Sequence, residues 1–129
     1  MHRGRARVLV VDDDEGIRVT IEAALDDCEV TTVDSALKAV SLLAAQQFDA
    51  VISDLMMPGM TGPELYESLA VDSPHRGRFL FVSGGNAPTG LQSFVRLANL
   101  PMLKKPFSIT SLRESIERIL GQNTAQGEG

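Results

Sequence analysis

Three short runs, Val8-Leu9-Val10-Val11, Ala50-Val51-Ile52 and Phe79-Leu80-Phe81-Val82, are apolar at every position. A strand with one wet face alternates, whereas a strand covered on both faces does not, so these runs predict the central strands of a parallel sheet. Two further segments are more polar. Residues 28–33 mix Glu29, Thr31 and Thr32 with Val30 and Val33, and Met102-Leu103 is short and follows Pro101. Both are predicted as edge strands, where polar residues and proline are tolerated. Between the strands apolar residues recur at helical spacing: Ile17, Ile21, Ala24 and Leu25; Leu37, Val40, Leu43 and Ala44; Leu65 and Leu69; Ile109, Leu112, Ile116 and Ile119. Another helix is predicted within 88–99, where Gly90 interrupts the start and Leu91, Phe94, Val95 and Leu97 are less cleanly phased. Pro63 suits a first turn, Ser108 an N-cap and Gly121 a stop. Five strand–helix units in alternation predict an α/β fold, a doubly wound parallel sheet with helices on both faces.

A length of 129 residues suits one domain, and an apolar fraction of 43% is enough to build its core. There are 12 Lys and Arg against 17 Asp and Glu, a net charge of −5. That balance disfavours direct nucleic-acid binding and an anionic membrane surface, since both need clustered cations. The single Cys28 can form no intrachain disulfide and no Cys/His cluster has zinc spacing, so a reducing, cytoplasmic setting is expected. No apolar stretch reaches secretory or transmembrane length. Residues 1–6 are read as a flexible basic arm, 7–120 as the folded domain and 121–129, polar and rich in glycine, as a disordered tail. Only that tail follows the last helix, so the domain is expected to act through a separate partner or to belong to a larger protein.

In doubly wound sheets ligands bind at the carboxyl ends of the strands. Asp12 and Asp13 follow the first predicted strand, Asp54 the third, Ser83 the fourth and Lys105 the fifth, all on one edge. Three converging carboxylates repel one another unless a cation, a proton or a basic side chain sits among them. Mg²⁺ is the natural cation, because it takes oxygen ligands and is commonly held by one or two carboxylates together with phosphate oxygens. Lys105 supplies a point charge suited to phosphate, and the Ser83 hydroxyl can donate to a phosphoryl oxygen. The set holds no His or Cys nucleophile, and the chain has no Gly-rich loop ending in Gly-Lys-Ser/Thr. An aspartate can itself attack phosphorus, which makes Asp54 the candidate acceptor.

Val10-Val11-Asp12-Asp13, Asp54-Leu55-Met56-Met57-Pro58-Gly59-Met60-Thr61-Gly62, Ser83 and Lys105-Pro106-Phe107, in that order at those strand ends, resemble a response-regulator receiver domain of two-component signalling. The resemblance covers residues 8–120 and implies a flavodoxin-like sheet of five parallel strands in the order 2-1-3-4-5 with five helices. It implies that Asp54 takes a phosphoryl group from a phosphohistidine on a sensor histidine kinase or a histidine phosphotransfer protein. Asp13, Asp54 and the backbone carbonyl of Met56 would bind Mg²⁺ directly, Asp12 would help through water, and Ser83 and Lys105 would contact the phosphoryl oxygens. The Lys105–Pro106 bond is a candidate cis peptide. Phosphorylation would draw on Ser83 and bias the surface of the fourth helix, fifth strand and fifth helix toward a downstream protein partner. A second copy of the chain is another candidate partner.

Three departures matter. Met102 stands where many members of the family carry a switching aromatic, and Gly84-Gly85 follows Ser83, as in receivers fused to hybrid sensor kinases. Met56 and Gly85 occupy the two positions that flank the attacking water, and neither side chain can orient it. Slow self-dephosphorylation is expected, which rapid loss of phosphate without a phosphatase would contradict.

Other polar residues read as structural. Asp14 and Glu15 suit the start of a helix, Lys104 a solvated position, and His2 and His75 the surface. Arg3, Arg5 and Arg7 suit a solvated arm, and Met57 suits loop packing, while for Met60 packing and partner contact are equal readings. Two other functions compete. A haloacid-dehalogenase-like phosphatase would use Asp12 as nucleophile in an Asp-x-Asp pair with Asp14, although Gly16 stands where that family has Thr or Val. A pseudo-receiver would act only as an interaction module, yet such domains usually lose part of an acidic pocket that is complete here.

Overall fold

The parallel sheet is built from β1 (Arg7–Val11), β2 (Glu29–Val33), β3 (Ala50–Asp54), β4 (Phe79–Ser83) and β5 (Met102–Lys104), in the order β2-β1-β3-β4-β5. Five helices connect and cover them: α1 (Glu15–Ala24), α2 (Ala36–Ala45), α3 (Gly62–Glu67), α4 (Thr89–Leu97) and α5 (Ile109–Glu128). This computed structural model describes residues 4–128, and the side chains of residues 4–122. Met1, His2, Arg3 and Gly129, to which the predicted arm and tail also extend, lie outside the described residues.

The uniformly apolar strands fill two cores at once, because alternate side chains leave the sheet on opposite faces. Leu9, Val11, Val51, Phe79 and Phe81 pack with α2, α3 and α4, through Ala36, Ala39, Leu43, Leu65 and Val95. Val8, Val10, Ala50, Ile52, Leu80 and Val82 pack with α1 and α5, through Ile21, Ala24, Leu112, Ile116 and Ile119. Burying each of the larger aliphatic or aromatic side chains stabilises the fold by about 1.5–3 kcal/mol. The strand that carries Asp54 is therefore clamped from both sides.

Caps fix where the helices begin. The Asp14 carboxylate accepts from the Ile17 N–H at 3.2 Å, so this acid belongs to α1. Thr61 and Glu64 form a reciprocal capping box at α3, and Ser108 accepts from the Ser111 N–H at 2.9 Å. Such caps each stabilise a helix by about 1 kcal/mol.

Four expectations change. In α2 the small residues Ala36 and Ala39 face the sheet, which leaves Leu37 66% exposed, and in α5 Ile109 is likewise 55% exposed. Helix α3 ends at Glu67, short of Leu69, which still packs against the core from the following turn. Helix α5 continues past Gly121, where a stop was expected. Among the described residues only Gly59 and Asn99 have positive φ, so Gly121 lacks the left-handed conformation of a helix-ending glycine.

The fourth change concerns His75. It lies in a 3-10 helix (Pro74–Arg78) that no periodicity announced, and it is buried, not at the surface. Its Nε2 accepts from the Phe48 N–H at 3.1 Å, while the Phe48 carbonyl accepts from Arg78 at 3.0 Å. Burial, helped by the charge of Arg78, pushes the His75 imidazole below its usual value. Protonation would remove the acceptor, so the unfolded chain takes up a proton more readily than the fold does. Stability is expected to fall as pH drops below about 6.5, by no more than about 1.4 kcal/mol per pH unit. Urea midpoints at neutral and mildly acidic pH, compared with a His75→Gln variant, check this; an equal acid sensitivity in both proteins contradicts it.

Candidate functional site

The parallel register brings the carboxyl ends of β1, β3, β4 and β5 to one edge. Val11 aligns with Ser53, Asp54 with Val82 and Ser83 with Lys104. The residues just beyond these positions then converge: Lys105 Nζ lies 3.2 Å from Asp12 Oδ2 and 3.4 Å from Asp54 Oδ2. Asp13 completes the cluster, since Asp12, Asp13 and Asp54 each offer a carboxylate oxygen within 4.8 Å of the others. Asp12 and Asp54 are buried and Asp13 is exposed. The Lys105–Pro106 peptide is cis.

Electrostatics are tense here. Burial and the negative charge of Asp12 push the Asp54 carboxyl up from 3.8 to about 6, with Lys105 pulling the other way. Burial works against the Lys105 ammonium, but Asp12 and Asp54 outweigh it and hold that group above its usual value. A single ammonium faces two buried carboxylates and a third nearby, so the cluster has room in its charge balance for a cation. Its donors are all hard oxygens, a set that fits Mg²⁺ and not a soft metal.

Asp12 is anchored at every polar atom. Its N–H donates to the Val33 carbonyl at 3.2 Å, and its carbonyl accepts from Arg18 Nη1 at 2.7 Å. Its Oδ1 accepts from the Asp14 N–H at 2.9 Å, and its Oδ2 faces Lys105. Asp54 is held through its backbone. The loop after β3 returns so that the Gly62 N–H donates to the Leu55 carbonyl at 3.0 Å. A Cβ on Gly62 would sit 2.4 Å from the Asp54 carbonyl oxygen and 3.0 Å from the Phe81 ring, so this approach requires glycine.

Beside Asp54 opens a cavity of about 240 Å³, walled by Met56, Gly84, Gly85, Asn86, Ala87 and Lys105. The Ser83 hydroxyl sits at the end of β4 but donates to the Gly84 carbonyl at 3.0 Å, so it must turn to reach a ligand on Asp54. Met56 is exposed at the rim and Met57 is buried in the core, while Met60 packs partly buried against it. Lys104 points to solvent. Three contributors were not legible as such in the sequence. Arg18 reaches the site from within α1, and Ser53 Oγ donates to the Asp54 carbonyl at 3.0 Å. Gly62 was readable as the start of a helix but not as a steric necessity.

The model of the response regulator receiver domain matches residues 8–117. The response regulator protein FleR of Pseudomonas aeruginosa is 34% identical over 120 residues, which cover 91% of this chain and 25% of that protein. Sporulation initiation phosphotransferase F of Bacillus subtilis is 26% identical over 116 residues, 88% of this chain and 93% of that protein. The signal receiver domain of a putative Luxo repressor protein from Vibrio parahaemolyticus superposes with a TM-score of 0.85 over 95% of each chain, at 18% identity, which bears on the fold alone. With five parallel strands in the order 2-1-3-4-5, an acidic cluster at their carboxyl edge and a family match across nearly the whole folded chain, this protein belongs to the response regulator receiver domains of two-component signalling.

Proposed function

We propose that Asp54 is the phosphoacceptor of this receiver domain and that Mg²⁺ is required for the transfer. The observation that carries this reading is the placement of the Asp54 and Asp12 carboxylates around Lys105 Nζ, at the mouth of an open cavity. Asp13, Asp54 and the Met56 carbonyl would hold the metal, with Asp12 acting through water. When bound, Mg²⁺ offsets negative charge on the carboxylates and on the phosphoryl oxygens.

The chain's own part is mainly positioning. An Asp54 carboxylate oxygen attacks phosphorus, the bond from phosphorus to the imidazole nitrogen of a phosphohistidine breaks, and that nitrogen leaves with the electron pair. Lys105 places its ammonium beside the acceptor, where charge spreads over the equatorial oxygens. Ser83 exchanges its bond to Gly84 for one to a phosphoryl oxygen, drawing on the loop 84–88 and, through it, on α4. The donor would be a sensor histidine kinase or histidine phosphotransfer protein, in the cytoplasm, and the readout a downstream protein meeting the α4–β5–α5 face. Met56 and Gly85 supply no group to orient water, which favours a long-lived phosphoprotein.

A phosphatase with Asp12 as nucleophile is disfavoured by Asp12's anchoring. Both of its carboxylate oxygens are engaged by protein donors, and Asp14, the partner acid in that reading, caps α1. Titration with Mg²⁺ and beryllofluoride tests the proposal. A one-to-one complex that needs both components and raises the unfolding temperature is expected; failure to form it at saturating Mg²⁺ contradicts the proposal.

A further inference from the structure

The geometry points to Arg18 as a positioning residue of the acidic site: its guanidinium holds the peptide plane between Asp12 and Asp13 and so fixes how their carboxylates face the metal position. This rests on the phosphoacceptor reading above.

The carbonyl that Arg18 Nη1 grips at 2.7 Å belongs to the peptide unit joining Asp12 to Asp13. Rotation of that unit changes ψ of Asp12 and φ of Asp13 together, and hence the angle between the two side chains. Asp12 has further anchors at its N–H and both carboxylate oxygens, but Asp13 has no hydrogen bond or ion pair among the described residues. Asp13's orientation is therefore inherited from its backbone, and the peptide that leads into it is restrained by two side chains, the Arg18 guanidinium on its carbonyl and the Asp12 carboxylate that reaches across it to the Asp14 N–H.

The restraint has a load to bear. Asp12, Asp13 and Asp54 bring three carboxylate oxygens within 4.8 Å of one another, and repulsion favours turning the exposed Asp13 outward. Arg18 is well placed to resist. Its own backbone N–H donates to the Asp14 carbonyl at 3.1 Å within α1, so the side chain reaches back over the first helical turn from a fixed base. The Asp34 carboxylate, which feels the charge of Arg18, has its own ion pair with Lys38 at 2.8 Å. With that carbonyl occupied, the oxygens left for a metal are those of the side chains and of the loop after β3.

Charge and position act in opposite directions here, and this makes the inference testable. A cation beside a metal site weakens metal binding, so if Arg18 were only a nearby charge, removing it would tighten Mg²⁺ binding. If it positions Asp12 and Asp13, removing it loosens the site and weakens binding, as loss of supporting contacts around metal ligands generally does.

Calorimetric titration of the full chain with Mg²⁺ alone separates the two. Arg18→Met is expected to bind Mg²⁺ about 10-fold more weakly than the wild type, with an unfolding midpoint in EDTA unchanged from wild type. Equal or tighter Mg²⁺ binding by R18M overturns the inference. Should R18M fail to fold, Arg18→Lys carries the test, since it keeps the charge and gives up the planar head. Weaker Mg²⁺ binding by R18K at an unchanged EDTA midpoint supports the inference, and wild-type affinity overturns it. A wild-type chain that binds no Mg²⁺ overturns the underlying phosphoacceptor reading instead, whatever the variants do.

Discussion

Replacing Asp54 with asparagine is expected to abolish phosphoryl uptake and, in metal-free buffer near neutral pH, to make the fold more stable. The first effect follows from removing the attacking oxygen: Asp13 and Asp12 remain, but Asp12 is locked by the Asp14 N–H and Lys105, and neither stands where the cavity opens on Asp54. The second follows from the charge balance. Burial and Asp12 push the Asp54 carboxyl up to about 6, so its ionised form is held in the fold against a penalty. At about 1.4 kcal/mol per pKa unit, relief of that penalty is on the order of 3 kcal/mol. The sign is fixed by linkage: a carboxyl raised in the fold weakens it at pH above about 6, and the weakening fades as pH falls toward 4. Lys105 keeps Asp12 as its partner in the variant, so no buried ammonium is stranded. Mg²⁺ should reverse the order, since a ligand that binds only the folded wild type stabilises it. Urea unfolding with and without Mg²⁺ checks the crossover, and a D54N variant less stable than wild type in EDTA contradicts it.

Gly62→Ala is expected to damage both stability and the site. The new methyl group would lie 2.4 Å from the Asp54 carbonyl oxygen and 3.0 Å from the Phe81 ring, both buried and neither at the free end of a flexible chain. Overpacking of this kind costs about 1–3 kcal/mol, and relief can come only by moving the α3 start or the end of β3. Because the second route displaces Asp54, phosphorylation should slow by up to about 100-fold, the scale of a misplacement of roughly an ångström at a reacting group. Gly90→Ala is the contrast: a Cβ there meets nothing within 4 Å, and α4 should gain about 0.5–1 kcal/mol from better helix propensity. Chemical denaturation of the two variants checks the pair, and equal stability contradicts the steric reading of Gly62.

The difference between these glycines shows what a sequence can and cannot disclose. Val8 to Val11 and Phe79 to Val82 announce central strands because burial on both faces leaves no polar position, and the structure pairs them as expected. The convergence of Asp12 with Lys105, 93 residues apart, was legible because strand ends in a parallel sheet share one edge. Helix phase was less legible in α2, since apolarity alone does not say that Ala36 and Ala39, with their small side chains, face the sheet and Leu37 faces water. His75 was hidden because a 3-10 turn has no long period and its stabilising partner is the distant Phe48 N–H. Arg18 was hidden for a related reason: a side chain that grips a main-chain carbonyl leaves no mark on the identity of the residue gripped.

The assignment of Asp54 is tested most directly by incubating the chain with a small acyl phosphate and Mg²⁺, then locating the adduct by peptide mass mapping. A single phosphoryl group on the peptide that contains Asp54, released by hydroxylamine and absent when EDTA replaces Mg²⁺, is the predicted result. A phosphoryl group on the peptide that contains Asp12, or none at saturating donor and Mg²⁺, would contradict it.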